Sequence, residues 1–164
     1  MTEKFKILAR FIKDLSSETP DIETFIFVKN QISKYQLGID INSKPLKNKM
    51  VEINTTFKFQ DKENNKKKSY FEIVYATIIR VDEDIKDKKE LEKIVLCDVQ
   101  TLIYPELEKA ILSLLHNSGY PNVKFEKKID FEKLYNERFN WNNFSLNFFA
   151  NILYVQLVLV EKAI

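Results

Sequence analysis

The sequence predicts an α+β fold, in which a four-stranded antiparallel sheet is followed by helices packed on one of its faces. Three observations carry this reading. Apolar residues alternate with period two through the first half of the chain, they change to a 3.6-residue period in the second half, and polar turns separate the alternating runs. Strands first and helices afterwards is the order of an α+β chain. With 164 residues there is room for one domain with a core of ordinary size, and for a tail.

The strands follow in order. Residues 5–15 form the least regular run. Residues 35–41 place Tyr35, Leu37, Ile39 and Ile41 on one face. In residues 50–60, Val51, Ile53, Thr55, Phe57 and Phe59 share a face, while Glu52, Asn54, Thr56, Lys58 and Gln60 point the other way. Residues 70–81 put Phe71, Ile73, Tyr75, Ile79 and Val81 on one side and Tyr70, Glu72, Val74, Ala76, Ile78 and Arg80 on the other. The polar stretch 61–68, rich in lysine and asparagine, reads as a turn between the last two strands. Consecutive strands with short connections pair antiparallel.

The helices come next. Residues 82–96 are charge-rich and read as a loop leading into a short helix from about Lys88 to Cys97. Residues 105–118 carry Leu107, Ala110, Ile111, Leu114 and Leu115 at helical spacing, with Pro105 expected near the start and Gly119 as the left-handed cap. Asp130 is placed to cap a further helix that shows Phe131, Leu134 and Tyr135 on one face. The chain is therefore divided into a domain of residues 1–138 and a tail of residues 139–164. No charge occurs between Phe139 and Val160, and residues 148–160 are strongly apolar. A membrane-spanning helix needs about 20 apolar residues, and asparagines and Gln156 interrupt the wider stretch. The tail is expected to be a helix or strand packed on an apolar surface of the same protein.

Composition removes most chemistries. Twenty-six basic and 24 acidic residues give a net charge of +2, too weak a field to argue for nucleic acid or an anionic membrane. Only Gly38 and Gly119 are glycines, so no glycine-rich phosphate loop exists. Cys97 is the only cysteine and His116 the only histidine; neither a disulfide within the chain nor a zinc site can be built from them. Cys97, in the run Ile94-Val95-Leu96-Cys97, reads as a small buried hydrophobe. Residues 1–20 are charged throughout, with no apolar signal core, which reads as cytoplasmic.

Three segments resemble the SecB family of bacterial export chaperones. They are Phe11-Ile12-Lys13-Asp14-Leu15-Ser16-Ser17-Glu18-Thr19-Pro20, then Tyr70-Phe71-Glu72-Ile73-Val74-Tyr75-Ala76-Thr77-Ile78-Ile79, and the most specific, Ser118-Gly119-Tyr120-Pro121 followed by Lys124-Phe125 and Asp130-Phe131-Glu132-Lys133-Leu134-Tyr135. The last is similar to the family's Gly-x-aromatic-Pro helix ending and its following Asp-Phe-x-x-Leu-aromatic start. Three features depart from the family: Ala76-Thr77 where paired glycines are usual, Ile103-Tyr104-Pro105-Glu106-Leu107-Glu108 at the long helix, and the apolar tail.

The resemblance implies a cytoplasmic homotetramer, a dimer of dimers, without cofactor, metal or catalytic residues. Such a protein holds unfolded preproteins and passes them to the SecA ATPase, and so meets the membrane only indirectly. By matching position, Asp14, Glu18, Tyr70 and Glu72 would contact SecA, while Tyr135, supported by Phe131 and Leu134, would lie near the client groove. The 13 Phe, 7 Tyr and 1 Trp suit broad recognition of apolar segments, although most belong to a core. The helix 105–118 is expected at a subunit interface, and residues 148–160 in the client groove as an internal competitor. Two alternatives stand beside this reading: a divergent SecB-like chaperone of a toxin–antitoxin system, and a membrane-attached interaction subunit without chaperone activity. An enzyme ranks last.

Overall fold

The computed structural model describes residues 4–63, 65–125, 128–142, 152–154 and 159–160. Strand β1 (Phe5–Glu18) leads through helix α1 (Ile22–Gln31) and a 3-10 turn to β2 (Tyr35–Pro45), β3 (Met50–Asp61) and β4 (Tyr70–Val81). Helix α2 (Lys88–Lys93) runs through a π-helical segment (Ile94–Asp98) into α3 (Val99–Asn117). The short β5 (Val123–Lys124) and α4 (Phe131–Asn142) follow, then β6 (Ile152–Tyr154) and β7 (Leu159–Val160). The main sheet has the order β1-β4-β3-β2-β6, and every neighbouring pair is antiparallel.

The four-stranded antiparallel sheet and the period-two faces are as the sequence predicts. Val51, Ile53, Phe57, Phe59, Phe71, Ile73 and Ile79 are buried on the inner face. Val99, Ile103, Leu107, Ile111 and Leu115 of α3 are each no more than 1% exposed and cover that face. On the outer face, Glu52, Asn54, Lys58, Tyr70, Glu72 and Val74 stay half-buried. The β2–β3 turn is made by Asn48 and Lys49, both at positive φ (58° and 56°), with the Met50 N–H donating to the Lys47 carbonyl at 3.3 Å. Two left-handed residues give the turn a twist that matches the strands.

One expectation needs correction. The long helix does not begin at Pro105: α3 starts at Val99, and Pro105 lies inside it. An interior proline costs about 3 kcal/mol. Starting earlier buries Val99, Ile103 and Tyr104, and each apolar side chain so buried contributes roughly 1.5–3 kcal/mol, so burial wins. The π-helical segment is tied in by a buried polar pair. Thr55 Oγ1 donates to Gln100 Oε1 at 2.9 Å, and Gln100 Nε2 donates to the Val95 carbonyl at 3.0 Å. Both side chains are fully buried, so each must be satisfied internally, and this fixes the register of α3 against β3.

Helix α1 is an element that the alternation pattern misses. Its local signal is Asp21, whose carboxylate accepts the Thr24 N–H at 2.7 Å as an N-cap. These hydrogen bonds hold the Asp21 carboxyl below its ordinary pKa. The end of α3 behaves as expected. The Gly119 N–H donates to the His116 carbonyl at 3.2 Å and the Tyr120 N–H to the Leu115 carbonyl at 3.0 Å, the two bonds of a Schellman ending. Gly119 has φ of 98°, and a Cβ there would meet Phe25 Cε2 at 2.6 Å. Gly119→Ala should therefore lower unfolding free energy by about 1–3 kcal/mol, through backbone strain and displaced packing of α1. A denaturant midpoint equal to that of the unaltered protein would contradict this. Asp130 caps α4 as expected, accepting the Lys133 N–H at 2.9 Å.

The tail contributes β6, which lies on the free edge of β2, and β7, which pairs with β5. Both tail strands pair with strands of the same chain; the rest of the segment 143–164 lies outside the described residues. No helix among the described residues is long and apolar enough to cross a membrane. The division into residues 1–138 and 139–164 is proposed here on composition; α4 itself continues to Asn142.

Candidate functional site

Strand register builds one candidate surface. On the outer face Glu18 pairs with Tyr70, Ser16 with Glu72 and Asp14 with Val74. Across the other side of β4, Glu72 pairs with Lys58, whose ammonium is 3.1 Å from its carboxylate. The Tyr70 hydroxyl donates to Glu72, and the Ser16 hydroxyl donates to Asp14 at 3.0 Å. Burial first, then the bond to Glu72 and the charges of Glu72, Glu18 and Asp14, raise the Tyr70 pKa far above its ordinary value. The phenol is therefore a neutral donor facing three carboxylates. All four residues carried over for SecA contact thus share one acidic patch. Beside it, Lys13 donates to Glu52 at 2.8 Å and to Asn54 at 3.3 Å.

The irregular pattern of β1 has a structural cause. Register shifts between Ile7 and Ala9 and between Ile12 and Asp14 mark two bulges, each of which swaps the faces of the following residues. The bulge at Lys13 lets Ile12 and Leu15 face the α3 side, opposite Tyr75 and Ile73, while Asp14 and Glu18 face outward. On the α3 side, Arg10 pairs with Glu106 at 2.7 Å, and the Tyr75 hydroxyl donates to the same carboxylate at 2.9 Å. Leu8, Phe11, Ile12 and Leu15 remain 40–50% exposed on this open strand.

The residues carried over for client contact gather at the start of α4. Phe131 is 5% exposed, with its ring edge-on to Tyr104 at 5.8 Å. Leu134 and Tyr135 are half-buried against the same core. Phe131 is thus a packing residue that seats α4, and Leu134 and Tyr135 are the ones with surface to offer. Further exposed apolar side chains escaped the sequence reading. Ile22 (68%) and Ile26 (54%) lie one turn apart on α1, and Leu102 (57%) lies on α3. The signal for Ile22 and Ile26 was the i, i+4 apolar spacing of a helix whose other side carries buried Thr24 and Val28.

Cys97 and His116 each have a backbone partner. The Cys97 thiol donates to the Phe131 carbonyl at 3.7 Å, and His116 Nε2 lies 2.9 Å from the Val123 carbonyl. Burial pushes the thiol pKa up to about 11. It therefore stays protonated near neutral pH, whereas a nucleophilic cysteine acts as its thiolate. Among the described residues no group of three or more His, Cys, Asp or Glu is placed to hold a metal ion.

Comparison with known proteins shows the family. The family model described as preprotein translocase subunit SecB matches residues 1–142. A putative protein-export protein SecB of Pelagibacter ubique is 59% identical over 140 residues, which cover 85% of this chain and all of that protein. The protein-export protein SecB of Bradyrhizobium diazoefficiens is 22% identical over 82% of this chain and 81% of its own length. Among solved structures, a Mycobacterium tuberculosis SecB-like chaperone in complex with a ChAD peptide from the HigA1 antitoxin superposes with a TM-score of 0.51. It is 12% identical and covers 76% of this chain and 91% of that one, a likeness of fold. With the family match running over the sheet, the capped helix α3 and all of α4, the chain belongs to the SecB family, a family of protein-export chaperones.

Proposed function

We propose that the protein is an ATP-independent holding chaperone of the cytoplasm, which binds unfolded preproteins and delivers them to the SecA ATPase. The observation that carries the holding function is its exposed apolar surface. Among the described residues Leu8, Phe11, Ile12, Leu15, Ile22, Ile26, Leu46 and Leu102 are each at least 37% exposed. Leu8, Phe11, Ile12 and Leu15 all lie on one edge strand and Ile22 and Ile26 share a side of α1, an arrangement that suits association with other chains. Holding acts by mass action on the unfolded state and requires no bond making, hence no catalytic group or cofactor.

Assembly as a homotetramer, a dimer of dimers, is supported by two surfaces. Among the described residues β1 is an open edge, which offers main-chain groups and apolar side chains. The outward face of α3 carries a shallow groove of about 530 Å³ lined by Pro105, Glu108, Lys109, Leu112 and His116, among others. The acidic patch of Asp14, Glu18 and Glu72 around Tyr70 is the proposed SecA contact, and Leu134 and Tyr135, seated by Phe131, border the client site. The export name of the 59% identical relative favours this reading over service to a toxin–antitoxin pair.

The test is direct. The purified protein should run as a tetramer and suppress aggregation of a chemically unfolded client without ATP; a monomer without that effect would overturn the proposal. Combining Asp14→Lys with Glu72→Lys should weaken SecA binding by at least about tenfold, because complementary charge governs such encounters. Client holding should be unaffected. SecA affinity equal to that of the unaltered protein would remove the patch from the interface.

A further inference from the structure

The two edges of the sheet are treated differently. Among the described residues β1 has no partner on its outer edge, but β2 is covered by the chain's own tail, with Gly38 opposite Tyr154, Ile39 opposite Leu153 and Asp40 opposite Ile152. On its other side β2 pairs with β3 along its full length, from Tyr35 to Pro45. The sheet is therefore complete without β6, which is an added strand held through the main chain. The family match ends at residue 142, ten residues before β6 begins. The Pelagibacter ubique relative is accounted for in full by 140 aligned residues, whereas this chain has 164.

Main-chain pairing on a strand edge accepts any extended segment whose side chains are tolerated. Gly38 has no side chain to obstruct an approaching backbone. β6 is only three residues long, and a pairing this short is marginal by itself. β6 belongs to the same chain as its site, and a linked segment meets its site at an effective concentration on the order of millimolar. The segment is apolar and uncharged, the composition of an unfolded client's strand-forming stretches.

We propose that the β2 edge at Gly38–Asp40 is a strand-addition site for extended apolar segments, and that the chain's own residues 152–154 occupy it as a tethered competitor. That the natural occupant is an unfolded client rests on the holding-chaperone reading; the competition itself does not. A site held by the tail nine times in ten binds an outside peptide with an apparent Kd about tenfold weaker than the bare edge.

The test uses the full chain with Leu153→Pro and Tyr154→Pro together. Successive N–H groups of a strand point to opposite sides, so the pair removes whichever one faces β2. The probe is a fluorescein-labelled peptide of residues 149–157. The double variant should bind it about tenfold more tightly than the unaltered protein. The amide among Gly38, Ile39 and Asp40 that faces β6 should exchange faster in the variant and be protected again by the probe. Equal peptide affinity, or equal exchange in the two proteins, overturns the proposal. So does a probe bearing the same two prolines that binds as well as the original, and so does protection that rises with protein concentration, which would assign the strand to a second copy. Tighter peptide binding with no suppression of client aggregation would leave this edge standing and remove the holding function. Suppression with unchanged peptide affinity would do the reverse.

Discussion

Phe71→Ala should lower the unfolding free energy by about 3–5 kcal/mol, the range for removing a fully buried phenylalanine. Phe71 is 0% exposed, and its ring lies 5.4 Å from Tyr120, 6.3 Å from Phe59 and 6.4 Å from Tyr35. Tyr120 in turn packs on Phe25 at 5.4 Å. The cavity would therefore open between the sheet, the end of α3 and the inner side of α1, close-packed elements that collapse only partly into it. Phe71→Leu keeps most of the volume and should cost under about 1.5 kcal/mol. Urea unfolding of both variants checks the pair. A loss below 1 kcal/mol for alanine would mean that the site relaxes, and would contradict the packing described above. Because Phe25 anchors α1, hydrogen exchange should rise first there, on the helix that displays Ile22 and Ile26.

Ile12→Asp combined with Leu15→Asp should abolish stable assembly while leaving the folded subunit nearly unchanged. The two side chains are 47% and 48% exposed, and surface changes of this kind shift subunit stability by only about 0.5 kcal/mol. In a twofold interface each substitution occurs twice, and a carboxylate forced into apolar contact is costly each time. A loss of roughly 3 kcal/mol is a factor of about 100 in the dissociation constant. Sedimentation velocity at micromolar concentration should then show a smaller species, and client holding should fall with it. A tetramer that persists unchanged would show that this side of β1 is not an interface.

The central strands were legible in the sequence because most of their large apolar side chains lie on one face, and the other carries mainly small or polar residues. Phe57, Phe59, Phe71 and Ile73 are each 0% exposed, while their neighbours Lys58 and Glu72 lie on the other face, partly buried, and pair with each other at 3.1 Å. The same alternation placed Tyr70 and Glu72 on the face away from the helices. The ending of α3 was legible for a different reason. A left-handed backbone at position 119 suits glycine, and the two Schellman bonds follow from it. β1 was blurred because two bulges reverse its alternation, so that Ile12 and Leu15 fall on one side and Asp14 on the other. Pro105 misled because a local rule about helix starts competed with long-range burial of Val99 and Ile103, and burial was larger.

The sequence by itself determined the fold class, the caps at Gly119 and Asp130, the family, and the four strands of the sheet with the helices that follow them, though not α1 between the first two strands. These depend on patterns a few residues long, where backbone geometry and burial act locally. Only the tertiary structure decided which distant residues meet. Strand register put Asp14 and Glu18 beside Tyr70 and Glu72, and Gln100 against Thr55. It also distinguished the two edges of the sheet, which among the described residues leave β1 at an open edge and give β2 the tail strand of residues 152–154. Edge pairing is made by main-chain groups, which are the same in every residue but proline, so no pattern of side chains could have announced it.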